Sequence, residues 1–359
     1  NTSYFLSLFL LVFINIFFYR LAEHGTDRSA QILFFLTLII TIKIFENKKN
    51  LNEAFELLLI LFTLIVTIKS FYILYSVILI YLFFRYFIKY NFLYFLKKFP
   101  IILLCLSIFF LMIIYNIASS GCILYPIAET CPDAFFWSYG SEKVSSYKVW
   151  YELWSKAGAT PNYVIENIDH YLTGLNWLPN WIDNYFFNKF SDYLLGILLT
   201  SIIFYISFKP KNFNFQKFKK YNHLYLLLIF LFLEWFFQHP ALRYGGFVLV
   251  FLIITLPLAI LLANQNFKYS HKSNSIKIIV LVTFTIFIFR NADRLIKENE
   301  IYGYNIFTNP NYNIQNNFYN MQNLKKKMFI NPDLCNKKNS LTEVKCKKIA
   351  NYNFYYLKE

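Results

Sequence analysis

YRLAEHGTDRSAQILFFLTLIITIKIF (residues 19–45) decides the fold. Its second half belongs to an apolar run over about 30–46, and a matching run over about 4–20 precedes it. Each reaches the roughly 17–25 residues with which a helix crosses a bilayer. Between them LAEHGTDRSAQ (21–31) gathers Glu23, His24, Asp27 and Arg28 around a glycine. Two membrane-length helices joined by a short charged connection are the repeating unit of a polytopic membrane protein.

The rest of the chain repeats the unit. Of 359 residues, 57% are hydrophobic and 15% charged, and the mean hydropathy is +0.40. A soluble domain would be more charged and less aromatic. A membrane β-barrel would show short alternating segments, and none appear. Nine hydrophobic segments fall at about 4–20, 30–46, 54–68, 70–88, 99–117, 191–208, 223–238, 245–263 and 276–290. The third and fourth share one apolar stretch broken near Lys69-Ser70, so they are either two short spans or a re-entrant pair. The predicted class is an all-α transmembrane bundle of about eight to nine spans. It divides into N-terminal spans (1–117), an outer loop (118–190), C-terminal spans (191–290) and an outer tail (291–359). The first residue is Asn rather than Met and no signal peptide is visible, which leaves room for earlier transmembrane helices ahead of it.

Orientation follows from Lys and Arg, which concentrate in cytoplasmic loops. ENKKN (46–50), RYFIKYNFLYFLKK (85–98), KPKNFNFQKFKK (209–220) and NQNFKYSHK (264–272) carry them and are assigned inside. LAEHGTDRSAQ, 118–190, QHPALRYGG (238–246) and the tail are assigned outside. Topology therefore explains much of the formal charge of +15. The excess of Phe, Ile, Lys, Asn and Tyr resembles the bias of an AT-rich genome, and no nucleic-acid partner is expected. Cys122, Cys131, Cys335 and Cys346 all fall on the outer side, where disulfides persist. Pairing Cys122 with Cys131 and Cys335 with Cys346 closes two short loops. No His–Cys cluster of zinc spacing accompanies them. Cys105, inside a span, is a small core residue.

The outer loop holds five of the six tryptophans, Trp137, Trp150, Trp154, Trp177 and Trp181. Tyr147, Trp150, Tyr151 and Trp154 recur at helical spacing, as do Leu178, Trp181, Ile182 and Tyr185. Such stripes suit helices lying in the headgroup layer; stacking on sugar rings is compatible with that. In LEWFFQHPALRYGGF, Glu234 lies near the outer end of its helix, where a carboxylate is costly unless solvated or paired. His239 and Pro240 begin a turn, and Gly245-Gly246 gives backbone or ligand room to approach. Arg243, with Tyr244 beside it, carries the planar fork that suits phosphate; pairing with Glu234 or lipid headgroups is the plainer account. Glu23 and Asp27 are four residues apart and share a face on a helical turn, flanked by Arg20 and Arg28. A carboxylate held near cations can stay ionised as a general base or bind a metal; a solvated loop with a local pair is the alternative. Lys69 emerges on the same side as a second phosphate contact or a snorkelling lysine. No phosphate-cradling glycine motif or Ser-His-Asp pattern occurs, so the substrate must be reached without cytosolic nucleotides.

On YRLAEHGTDRSAQ, GCILYPIAETCPDAFFW with WYELWSKAGATPN, and WFFQHPALRYGGF, about a fifth of the chain, the sequence resembles the GT-C class of membrane glycosyltransferases. It also resembles a group of uncharacterised multi-pass bacterial proteins associated with envelope polysaccharide. The resemblance implies a glycosyltransferase or polysaccharide polymerase in the bacterial cytoplasmic membrane, working on the periplasmic or extracellular face. Its partners would be the bilayer, a polyprenyl-phosphate sugar donor and a glycan acceptor. Asp27 or Glu23 would be the base. Arg243 would hold the phosphate, with Arg20, Arg28, Lys69, Glu234, His239 and Tyr244 around it, and Trp150, Trp154 and Trp137 would stack on sugar. No cofactor is required, although Glu23 and Asp27 could hold a divalent metal. A lipid-linked glycan flippase, with charges at mid-membrane depth, and a non-catalytic assembly protein using the Trp-rich loop are the alternatives.

Overall fold

The computed structural model describes residues 1–19, 25–47, 51–87, 98–133, 135–159, 165–208, 210, 218–263, 269–302, 344–349 and 352–357. Helices dominate, as they must where hydrocarbon offers backbone groups no partners outside their own segment. α1 (Thr2–Val12) runs into a π-helical turn, Phe13–Phe17. α2 spans Asp27–Glu46 and α3 Leu51–Ile68. Lys69, extended at φ −150° and ψ 102°, breaks the rod. A 3-10 turn (Ser70–Ser76), α4 (Val77–Leu82) and a π-helical turn (Phe83–Phe87) then lead back. α5 is Phe99–Ser120. The next connection carries α6 (Gly140–Lys156) and α7 (Ile168–Leu172). α8 (Leu178–Trp181) continues through π-helical Ile182–Phe190 into α9 (Ser191–Phe208). α10 (Asn222–Gln238), α11 (Gly246–Ala263) and α12 (Tyr269–Tyr302) complete the bundle. Among the described residues, five helical stretches are long and apolar enough to cross a membrane: Asp27–Glu46, Phe99–Ser120, Leu178–Phe208, Gly246–Ala263 and Ser273–Glu300. Thr2–Phe17, Ser70–Arg85 and Asn222–Gln238 are shorter apolar helices.

α2 and α11 form the centre, with 61% of their apolar windows buried, while α5 and α12 bury only 11% of theirs. The core between them is aromatic. Phe9 stacks on Phe204 at 4.0 Å, and Phe251 receives Phe13 at 4.8 Å and Phe35 at 5.8 Å. Two ends are defined by contacts that twenty residues of α2, about 30 Å of rise, hold apart. At one end the Glu46 carboxylate takes the N–H and hydroxyl of Ser3, Phe45 meets Tyr81 and Tyr221, and Ser275 donates to Ser207. At the other, Ser70 donates to Tyr125 at 2.6 Å, and Arg290 lies over Tyr19 at 4.1 Å. Of the connections that the charge rule grouped as outer, the described parts around Asp27, Tyr125 and Arg243 lie at the second end. Since Lys69 lies there and Tyr81 at the first, α3 and the 70–87 stretch are two antiparallel rods rather than a re-entrant pair.

Three expectations need correction. The helical run of α9 begins at Leu178, with Pro179 in its first turn where its missing N–H costs nothing. NWLPNWIDNYFF is therefore the head of a 31-residue helix and not a separate interfacial one. Trp177 and Trp181, 0% and 4% exposed, are core residues. Finally, α12 continues to Tyr302, past the expected start of the tail, and the tail adds an antiparallel hairpin, β1 (Val344–Ile349) with β2 (Tyr352–Leu357), whose strands are the only ones among the described residues.

Cys122 and Cys131 are disulfide-bonded and pack with Val144 in a small core between α5 and α6. Cys105 is free and buried. The Cys335–Cys346 pairing lies outside the described residues.

Candidate functional site

Asp27 is the first residue of α2, where a carboxylate suits the positive end of the helix. Thr26, just before it, donates at 3.4 Å to the Ile68 carbonyl and so ties the start of α2 to the end of α3. That contact brings Lys69 to Asp27. The Lys69 ammonium lies 2.6 Å from Oδ1. On the other oxygen, Oδ2, Arg243 closes a two-pronged contact, Nε at 3.0 Å and Nη2 at 2.9 Å. The carboxylate side chain is 2% exposed, whereas Lys69 and Arg243 are 33% and 31% exposed. A hidden anion thus holds two cations whose other edges face outward. One positive charge of this trio is left uncompensated. Arg28, also buried, places its guanidinium over the Phe18 ring at 5.3 Å.

The turn that carries Arg243 is held almost atom by atom. Trp181 donates its indole N–H to the Pro240 carbonyl at 3.2 Å. Ser155 accepts from the Ala241 N–H at 2.8 Å, and Trp235 donates to the Ala241 carbonyl at 3.0 Å. Tyr185 accepts from the Leu242 N–H at 2.7 Å. Gln31, fully buried, donates to the Arg243 carbonyl at 2.9 Å and accepts from the Val248 N–H at 3.1 Å. Buried backbone groups must be paired, and here side chains from four helical stretches pair them in sequence. None of Gln31, Ser155 or Tyr185 stood out in the sequence as part of a site.

The guanidinium of Arg243 lies 5.4 Å from the ring centres of both Trp154 and Tyr244, which meet edge to face at 6.0 Å. Cation–π contact of this kind orients Arg. His239 leans on Tyr244 at 5.4 Å and on Phe71 at 5.7 Å. Burial lowers its imidazole to a pKa of about 4, Glu152 opposing and Lys156 and Lys148 reinforcing the shift. Burial likewise raises the Tyr244 hydroxyl to about 12 against the pull of Arg243. Both are neutral near pH 7.

The structure thus joins Asp27, Lys69, Arg243, Trp154, Tyr244 and His239. Glu234 lies half-buried in the last turn of α10, and Arg243 pairs with Asp27 rather than with it. Trp150 is 49% exposed on α6. Trp137 donates to Ile117 at 2.8 Å and stacks on Phe135, at the end of α5. Arg20 and Glu23 lie outside the described residues. The room at the glycine pair is used by the protein itself. A side chain at Gly245 (φ +106°) would strike the Tyr75 hydroxyl, and one at Gly246 the Trp235 ring. Among the described residues no three His, Cys, Asp or Glu gather as metal ligands, and Asp27 has cations as neighbours, which repel a divalent ion.

A family model described as a domain of unknown function (DUF8201) matches residues 1–251, which contain every residue of this cluster. No curated protein and no solved structure matches the chain.

Proposed function

We propose that this chain, which belongs to the DUF8201 family of domains of unknown function, is a membrane glycosyltransferase or polysaccharide polymerase. It draws sugar from a polyprenyl-phosphate carrier on the outer face of a bacterial cytoplasmic membrane. The observation that carries this reading is the pair of half-open cations, Lys69 and Arg243, fixed on one buried carboxylate at the end of an apolar bundle. A phosphate joined to a lipid arrives at that depth with its chain in hydrocarbon and its charge at the helix ends. The distribution of basic loops at the opposite end supports the outward orientation.

In the reaction the acceptor hydroxyl oxygen bonds to the anomeric carbon, and the bond from that carbon to the phosphate oxygen breaks. Negative charge grows on the departing lipid phosphate, where fixed cations stabilise it most. Asp27 has both oxygens engaged, so its part is to hold Lys69 and Arg243 in place. Of the two acidic residues considered as base, Glu23 takes the acceptor proton. Trp154 and Tyr244 wall the site and fix the Arg243 plane; a sugar ring meets their outer edges.

The test is glycan product in cells together with binding of the purified chain to vesicles containing polyprenyl phosphate. Arg243→Lys keeps charge and loses the fork, and should weaken vesicle binding and product together. Glu23→Gln should leave binding intact and lower product by roughly 10²-fold or more. Wild-type product from both variants would remove this chemistry from the chain.

A further inference from the structure

Among the described residues, Gln31 is the one fully buried amide at this end of the bundle that reaches both Arg243 and α11. It stands one helical turn after Asp27, so the two side chains leave α2 on the same face. Asp27 holds the Arg243 guanidinium; Gln31 holds its carbonyl. The other end of the amide accepts from Val248, one of the first N–H groups of α11, which have no partner inside their own helix. We infer that Gln31 is a positioning residue: by bracing the Arg243 backbone from the helix that also supplies Asp27, it sets the direction in which the guanidinium presents its free edge to an anion.

Glycine at 245 leaves this brace more to hold. The αL backbone there (φ +106°) lets the turn close on Tyr75, yet glycine supplies no side chain to anchor it. Between Leu242, fixed by Tyr185, and Val248, side chains anchor the backbone through the two hydrogen bonds of Gln31 and through the Tyr193 hydroxyl, which donates to the Phe247 carbonyl; Gln31 alone reaches Arg243 itself. Because both arms of the amide are used, amide orientation is fixed too: exchange of its O and N would set donor against donor and acceptor against acceptor.

The inference uses the anion-site reading for its purpose, but it is tested without it. Phenylglyoxal modifies accessible guanidinium groups, and peptide mapping gives the rate at each arginine. In Gln31→Leu, similar in bulk but without either hydrogen bond, the rate at Arg243 should rise several-fold while that at Arg290 stays unchanged. Gln31→Glu keeps an acceptor for Val248 and, once ionised, loses the donor to Arg243; labelled at pH 9, where the buried carboxyl is driven towards its carboxylate, it should show the same rise with α11 still capped, which separates positioning from folding should the leucine variant fail to fold. An unchanged Arg243 rate in a folded Gln31→Glu protein overturns the inference. In parallel, vesicles containing polyprenyl phosphate should bind both variants several-fold more weakly than wild type. Vesicles that ignore even the wild type defeat the carrier-lipid reading alone, because the labelling result still stands or falls by itself.

Discussion

His239 follows α10 with its imidazole packed between Phe71 and Tyr244, while Glu152, Lys148 and Lys156 of α6 act on it electrostatically. Its pKa falls from 6.5 to about 4 because burial disfavours the charged ring. The unfolded chain binds a proton near 6.5 and the folded chain does so near 4. The native state therefore loses stability as pH drops from 6.5 to 4 and levels off below. At about 1.4 kcal/mol per unit the loss is at most about 3 kcal/mol. Thermal unfolding in detergent at pH 7.5 and pH 5 should show the drop in wild type, and His239→Gln should remove most of it; an unchanged drop would assign the pH dependence to other groups. Asp27 fails differently. Asp27→Asn leaves Lys69 and Arg243 without their counter-charge, and the carboxylate they lose is buried. Removal of one partner from a fully buried pair costs about 3–5 kcal/mol. With the cations one-third exposed, solvent screens part of that, so about 1–3 kcal/mol is expected. Arg243→Lys should cost less in the same unfolding assay, since it retains the charge.

At the scale of elements, the 240–245 turn is a loop built like a core. Its Pro240, Ala241, Leu242 and Arg243 backbone groups are matched to Trp181, Ser155, Trp235, Tyr185 and Gln31. Tyr185→Phe removes the acceptor for the buried Leu242 N–H and should cost about 1–3 kcal/mol. The same substitution should also weaken vesicle binding, because it frees the segment that carries Arg243. Normal thermal stability in Tyr185→Phe would mean that the turn finds another partner. The turn itself was legible in PALRYGG, as were Arg243 as a member of the cluster and the acidic start of α2. Its supports were not. Gln31 and Val248 are 217 residues apart, Ser155 and Ala241 86, Tyr185 and Leu242 57; bonds from side chain to distant backbone leave no periodic trace in a sequence. Spacing also misled at the glycines, where the missing side chains make room for Tyr75 and Trp235. The Trp-rich stripes were found by helical spacing, but period alone cannot separate a face turned to headgroups from one turned to core. Trp150 is exposed, and Trp177 and Trp181 are buried.

Across the whole molecule, hydrophobic runs and the Lys/Arg bias fixed which connections share an end, because lipid imposes segment length and alternation directly on sequence. Fine packing is weaker in sequence, since lipid-facing and core-facing side chains are equally apolar. The burial of α2 and α11 and the exposure of α5 and α12 therefore emerge only in the fold. The site lies at one end of the central pair, with α6 laid against it through Ser155 and Trp154. That end is open to lateral approach from the membrane leaflet on its side. This arrangement requires Ser146, exposed on α6, and Asn47, just past α2, to face opposite sides of the membrane. Ser146→Cys and Asn47→Cys can be made separately in a chain whose Cys335 and Cys346 are replaced by serine; Cys122 and Cys131 are bonded and Cys105 is buried, so each added thiol is read alone. A membrane-impermeant maleimide applied to intact cells should label position 146 and should reach position 47 only after permeabilisation. The reverse pattern would turn the molecule over and move the cation pair to the cytoplasmic leaflet, where a carrier-lipid transferase facing outward could not use it. Equal labelling at both positions in intact cells would deny that the two ends lie across a bilayer from one another.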